Sequence, residues 1–171
     1  MKKKIKQPNW DLIRNKMIEY VTDILQKKWQ TPIILDVYEF RKIPWVEESC
    51  DGLFTCFIRD GELYIDHIVL RKQSREEMSY TLAHELGHVL DLINFKLRDH
   101  IKSIGYNVRD KRSKRILFER EKRACSIGFD LLQRTGVPVS YLERYLVQRQ
   151  TLLSCVVVPQ NKKREGKNDK K

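Results

Sequence analysis

Residues 82–90 read Leu-Ala-His-Glu-Leu-Gly-His-Val-Leu, with His84 and His88 four positions apart. Apolar residues recur around this pair at helical spacing, which predicts an amphipathic helix from about residue 75 to residue 95, capped by Ser74. Residues four apart lie one above the other on one face of a helix. Both imidazoles can therefore reach a single zinc ion at its bond length of about 2.0–2.1 Å.

Glu85 follows the first histidine and has a different predicted role. It lies about 100° around the helix from His84, too far to share the metal easily. A carboxylate placed there suits a general base that deprotonates the attacking water. The chain has only four histidines, so chance rarely produces this spacing. The pattern predicts a hydrolytic zinc site.

A catalytic zinc needs a third protein ligand, and a second predicted helix, from about residue 114 to residue 134, offers Glu121. A carboxylate on a buried stripe needs a cation. We therefore predict that Zn²⁺ is held by His84, His88 and Glu121, with a salt bridge from Glu121 to a Lys or Arg as the alternative. The positions that share its stripe are all apolar or small: Leu117, Ala124, Cys125, Gly128 and Leu132.

The two predicted helices should also approach each other closely, because small residues lie on the stripe at Ala124 and Gly128 and in the histidine motif at Gly87. Glu119, by contrast, shares its face with basic residues and is expected to face solvent.

Three other residues could approach the metal. His100 is the rival third ligand, as in SprT-like metallopeptidases, although it lies in a strongly basic segment. Asp91 is expected to be solvated or to cap a helix, and His67 to line the core or a groove. The metzincin class is excluded because its motif requires Gly and His where this chain has Asp91 and Asn94.

The remaining pattern predicts an α+β fold, in which a small three-stranded antiparallel sheet packs on a zincin-like core that contains the HExxH helix and additional helices. Asp60-Gly61 is typical of a hairpin turn. The first helix is expected to be capped by Asn9 or Asp11, and the last by Ser140. The further predicted elements are a helix over 9–29, strands over Thr31–Phe40, Leu53–Arg59 and Glu62–Leu70, and a helix over Ser140–Leu153.

Composition and charge indicate one domain over 9–158, between a basic tail at 1–8 and a disordered basic tail at 159–171. The 171 residues are 41% hydrophobic, a globular balance. Residues 1–6, 96–115 and 161–171 carry net charges of +4, +6 and +4, which leaves about −3 for the rest of a chain at +11. Because the charge lies in tails and a loop, any nucleic-acid contact is expected to be weak.

The chain is expected to be cytoplasmic and to have no contact with membranes. No apolar stretch approaches the roughly 20 residues that a membrane span needs, and the N-terminal lysines do not lead into the apolar region of a signal peptide. Four dispersed cysteines, with no C-x-x-C pair, are expected to be reduced thiols.

Two segments resemble the ImmA/IrrE family of metallopeptidases. Residues 78–88, Met-Ser-Tyr-Thr-Leu-Ala-His-Glu-Leu-Gly-His, resemble its active-site helix, and residues 121–132 resemble its second motif, E-x-x-A-x-x-F-A-x-x-L-L. Ile127 and Gly128 replace the usual Phe-Ala. The resemblance, which covers about 62–133, implies the same three ligands, Glu85 as base, and a regulatory peptidase of a bacterium, phage or mobile element that cleaves a helix-turn-helix repressor.

Two other functions remain open from the sequence. One is a zinc-containing regulatory module that binds a repressor or nucleic acid without proteolysis. The other is a SprT-like peptidase acting on DNA-bound proteins, which would use His100. For a peptidase, the second donor to the reaction's oxyanion is left open among Tyr106, His100 and an arginine of the basic segment.

Overall fold

The structure is a computed structural model, and it describes residues 7–29, 35–41, 51–59, 62–94 and 111–156. These residues confirm the α+β class. The C-terminal tail, residues 1–6 of the N-terminal tail, the predicted Asp60-Gly61 turn, His100, Tyr106 and most of the basic segment 96–115 lie outside them. The elements within them are α1 Trp10–Trp29, β1 Asp36–Phe40, β2 Gly52–Arg59, β3 Glu62–Arg71, α2 Arg75–Asn94, α3 Lys111–Arg134 and α4 Val139–Val156. None of these four helices combines the length and apolar character that crossing a membrane requires.

The sheet is mixed, so the prediction of three antiparallel strands is wrong for β1. β3 lies in the centre, with β2 antiparallel on one side and β1 parallel on the other. A hairpin forces β2 and β3 to be antiparallel, whereas the eleven residues 41–51 between β1 and β2 allow β1 to take either direction. Side-chain alternation carries no information on strand direction, and for this reason the sequence pattern missed it.

A β-bulge at Asp66 changes which side chains of β3 face the helices. Thr55 of β2 pairs with His67, but the next residue, Cys56, pairs with Ile65, so Asp66 is an extra residue on β3. Ile65 packs against the core, while the His67 ring contacts the Tyr38 ring at 5.4 Å between centroids. Ile65 and His67 therefore do not share a face of the sheet.

The N-terminal ends of α1 and α2 have the predicted caps. The Leu12 amide donates to Asn9 Oδ1 at 3.2 Å. Ser74 and Glu77 form a capping box, in which the Glu77 amide donates to Ser74 Oγ and the Ser74 amide donates to the Glu77 carboxylate. The histidine-bearing helix therefore begins within four residues of the end of the central strand.

The connection between α3 and α4 contains a left-handed glycine. Gly136 has a φ of 81°, and the amides of Gly136 and Val137 donate to the carbonyls of Gln133 and Leu132, as in a Schellman motif. The last helix begins one residue earlier than predicted, and the Pro138 carbonyl accepts from the Tyr141 amide. Ser140 lies inside the helix, so its assignment as the cap is wrong.

Helix α2 occupies the centre of the core. Every residue from Met78 to Leu92 is buried, with the sheet, α1 and α3 packed around it. A charged or polar group on this segment must find its partner inside the protein.

Helices α2 and α3 touch backbone to backbone, as the small residues predicted. A Cβ atom added at Gly87 would lie 2.3 Å from the carbonyl oxygen of Ala124, and one added at Gly128 would lie 2.7 Å from that of Ala83. Both distances are far inside van der Waals contact, so each glycine allows the facing helix to come close.

We expect Gly87→Ala to destabilise the protein by about 2 kcal/mol, because the added methyl group meets a rigid backbone carbonyl. Helix propensity alone would favour alanine by about 1 kcal/mol, so the sign of the change separates the two effects. The measurement is urea unfolding, with Ser126→Ala on the exposed face of α3 as a control expected to stay within about 0.5 kcal/mol. A stabilised Gly87→Ala variant would refute the close contact.

Candidate metal centre

Three side chains from two helices converge on one point. His84 Nε2 lies 3.1 Å from Glu121 Oε2, His88 Nε2 lies 3.2 Å from the same oxygen, and the two Nε2 atoms are 3.1 Å apart. Within the described part of the chain these three residues form the one group of three or more potential ligands. The structure thus brings together the three predicted ligands, and Glu121 meets histidines rather than the Lys or Arg of the alternative.

The triangle has the dimensions of a metal site. Ligand atoms bound tetrahedrally at about 2.0 Å are about 3.3 Å apart, close to the three observed separations. Two imidazole nitrogens and a carboxylate oxygen are all lone-pair donors once the histidines are neutral, so an ion at their centre would satisfy all three. The arrangement fits a divalent cation that takes nitrogen and oxygen ligands.

The electrostatics of the cluster favour the ligand forms of its side chains. Burial would raise the pKa of Glu121, but hydrogen bonds from both histidines hold this pKa far below its usual range. Burial lowers the pKa of His84 despite the neighbouring carboxylate. Near neutral pH the cluster therefore offers an ionised carboxylate and a neutral imidazole, the forms that bind metal.

Residues of α3 also contact the far nitrogens of both rings. His84 Nδ1 lies 3.6 Å from the Cys125 Sγ atom, and Arg120 Nε donates to His88 Nδ1 at 3.5 Å. Cys125 Sγ lies where it can accept the Nδ1 proton that His84 carries when its Nε2 binds a metal. Arg120 is only a donor, and a neutral His88 that accepts at Nδ1 carries its proton on Nε2, so this contact must change before His88 can bind a metal through Nε2. Cys125 was predicted to lie on the buried stripe, but neither contact was predicted, because each depends on the rotation of α3 about its axis.

Glu85 is separate from the ligand triangle and lies under the first residue of β2. The residue is 7% exposed, and burial raises the pKa of its carboxyl group. A Cβ atom on Gly52 would come within 2.9 Å of Glu85 Oε1. Glycine at position 52 therefore leaves room for this carboxylate, a role that the sequence pattern did not indicate.

Asp91 does not reach solvent, which corrects the expectation that it is solvated or a cap. Its side chain is fully buried and accepts from Arg123 Nε at 2.7 Å and from Arg123 Nη2 at 3.1 Å. The pair joins α2 to α3 just beyond His88 and Glu121. A two-pronged ion pair fixes distance and rotation together, so it helps to hold the two ligand-bearing helices in register.

The other residues considered from the sequence lie elsewhere or are outside the described residues. Glu119 is exposed, as predicted. His67 pairs with Asp66 at 2.8 Å on the sheet and is not a member of the cluster. Cys56 and Cys125 are free thiols, as expected. His100, the rival ligand, lies outside the described residues.

A double-mutant cycle tests the Asp91–Arg123 pair. We expect Asp91→Asn, Arg123→Met and the double variant to show a coupling of about 1–3 kcal/mol in the free energy of unfolding, because the pair is buried on one side. The matched control is the exposed Asp23–Lys27 pair, for which about 0.2–1 kcal/mol is expected. A coupling no larger than that of the control would refute the role of the Asp91–Arg123 pair in holding the two helices in register.

Comparison with known proteins identified no relative of this chain. No family model matches the chain, and neither the curated proteins nor the solved structures contain a match. The functional interpretation therefore rests on the geometry of two histidines and one glutamate from two packed helices, with a second buried glutamate beside them.

Proposed function

We propose that the protein is a zinc metallopeptidase with a zincin-like core, in which His84, His88 and Glu121 hold the ion and Glu85 is the general base. One observation carries the proposal, namely the triangle of ligand atoms with sides of 3.1–3.2 Å. Two histidines and a glutamate are a donor set used by catalytic zinc sites in peptidases, which keep one coordination position for water or substrate.

A zinc ion held by His84, His88 and Glu121 would supply a Lewis acid for the scissile carbonyl and would lower the pKa of a water molecule to about 7. Glu85 takes the proton from the attacking water and delivers it to the leaving amine. Burial of Glu85 raises the pKa of its carboxyl group. A carboxylate with a higher pKa is a stronger base, which supports this role. The Gly52 backbone above it limits the positions that its side chain can adopt.

The substrate is proposed to bind along β2. β3 is central in the sheet, whereas no described strand pairs with the outer edge of β2. An extended peptide can add to such an edge through backbone hydrogen bonds. Gly52 lies at the start of β2 and in contact distance of Glu85, which would place the peptide backbone near the base.

The proposed substrate is a specific regulatory protein, such as a helix-turn-helix repressor in the cytoplasm. This part rests on the resemblance of residues 78–88 and 121–132 to ImmA/IrrE peptidases. The buried ligand cluster and the close helix contact are what such a resemblance requires of those two segments.

Metal content tests the ligand set. We expect Glu121→Gln to lower zinc affinity by about 10–100-fold or more, because it removes the one anionic ligand of the triangle, while Glu119→Gln on the exposed face of the same helix keeps wild-type affinity. Dialysis against a zinc buffer followed by elemental analysis gives the result. Loss of zinc in His100→Ala with retention in Glu121→Gln would instead support the SprT-like arrangement.

Cleavage tests the base. We expect Glu85→Gln to bind zinc like the wild type and to cleave at least about 100-fold more slowly, because the amide cannot accept the proton. Mass spectrometry follows the fragments of a helix-turn-helix repressor that is encoded next to the gene of this chain. Asp130→Asn, at an exposed site of α3, is the control. A zinc-loaded wild type that binds the repressor and leaves it intact would identify a regulatory module without proteolysis.

A further inference from the structure

Arg149 of α4 is a buried cation with unfilled hydrogen-bond donors among the described residues. The residue is 3% exposed, and its Nε and Nη2 atoms have no hydrogen-bond partner in the part of the chain that the structure describes. A guanidinium group stays charged in proteins because its pKa is above about 12. Burying such a group without an acceptor is costly, so this side chain requires an explanation that packing alone does not give.

A series of contacts connects Arg149 to the metal cluster. Helix α4 doubles back along α3, and the Tyr145 hydroxyl donates to the Cys125 carbonyl at 3.1 Å. One turn further along α4, the Arg149 guanidinium lies 5.4 Å from the centroid of the Tyr145 ring. Cys125 in turn contacts the far side of His84. A chain of direct contacts therefore leads from the guanidinium to a ligand of the proposed ion.

The electric field of Arg149 is also felt at the site. This charge acts on three groups there, which are the Cys125 thiol, the Glu85 carboxyl group and the His84 ring. Arg149 Nε and Nη2 form no hydrogen bond with any of these three groups, so the guanidinium influences the site and keeps two donors for another group.

We infer that Arg149 is an anion-binding residue of the substrate site, which donates hydrogen bonds to a carboxylate of the peptide close to the scissile bond. The inference rests on the proposed metallopeptidase function, since the metal cluster sets where the peptide lies. Nε and an Nη of one guanidinium form the fork that binds both oxygens of a carboxylate. A carboxylate is the anion that every peptide can offer, either on an Asp or Glu side chain or at its C-terminus.

Metal-anchored ligands test this inference without requiring proteolysis. The probes are short peptide hydroxamates, whose hydroxamate group chelates zinc and whose adjacent residue is either Glu or its amide analogue Gln. Each is made with a free C-terminal carboxylate and with a C-terminal amide. Dissociation constants are measured by calorimetry on the zinc-loaded full chain. This set separates a side-chain carboxylate from a terminal one.

We expect one carboxylate-bearing form to bind the wild type at least about tenfold more tightly than its amide counterpart, because a buried charge-assisted pair is strong. A preference in the Glu–Gln pair identifies a side-chain carboxylate, and one in the free–amidated pair identifies a C-terminus. The preference should disappear in Arg149→Gln with unchanged zinc content.

Arg144 provides the matched control. It lies on the same helix with its guanidinium 4.9 Å from the centroid of the Tyr141 ring, but its side chain is 63% exposed and pairs with Glu76. Arg144→Gln should keep the full preference. The wild-type comparison needs no variant, so it stands even if Arg149→Gln folds poorly.

Three results would overturn the inference. If all the hydroxamates bind with equal affinity, Arg149 does not receive a substrate carboxylate, while the metal site stands. If the zinc-loaded protein binds none of them, both this inference and the proposed peptidase site fail. Retention of the preference in a folded Arg149→Gln variant would place the anion-binding group on another residue.

Discussion

The arrangement of the core depends on one half-buried carboxylate, Glu121, meeting two imidazoles across a helix interface. Glu121 is only partly exposed, and the two histidines are buried on a helix that has no solvent-facing side over fifteen residues. Three lone-pair donors enclosed in this way are unfavourable unless a cation or shared protons balance them. The close backbone contact at Gly87 and the Asp91–Arg123 pair both hold the interface that brings these donors together.

Charge in the interior follows two different patterns. Asp91 is fully buried, but its two oxygens accept from Arg123, so this pair satisfies itself and serves the fold. Arg149 is equally enclosed, and two of its nitrogens have no acceptor among the described residues. Glu85 is buried beneath Gly52, and the charge of Arg149 acts on its carboxyl group. A cation with unfilled donors among the described residues thus lies near the proposed reaction centre, whereas the Asp91–Arg123 pair lies beyond it.

Much of this site follows from spacing along the chain. The His84–His88 interval and the apolar stripe around Glu121 each carry their information within one helix, so they predict the ligands without knowledge of the fold. Strand direction, the bulge at Asp66 and the Asp91–Arg123 pair depend on how elements pack, and no local pattern encodes this. Arg149 shares its stripe with Tyr145, and the stripe test applied to Glu121 would have identified it.

The close contacts at Gly87 and Gly128 also limit how far α2 can slide along α3. A slip of one residue along a helix moves a side chain by about 1.5 Å, whereas metal–ligand distances tolerate only about 0.2 Å. Gly87 and Gly128 fit over particular carbonyls of the facing helix, and after such a slip a side chain would occupy the place of each glycine. Steric exclusion at the two glycines therefore selects the helix alignment that brings His84, His88 and Glu121 together.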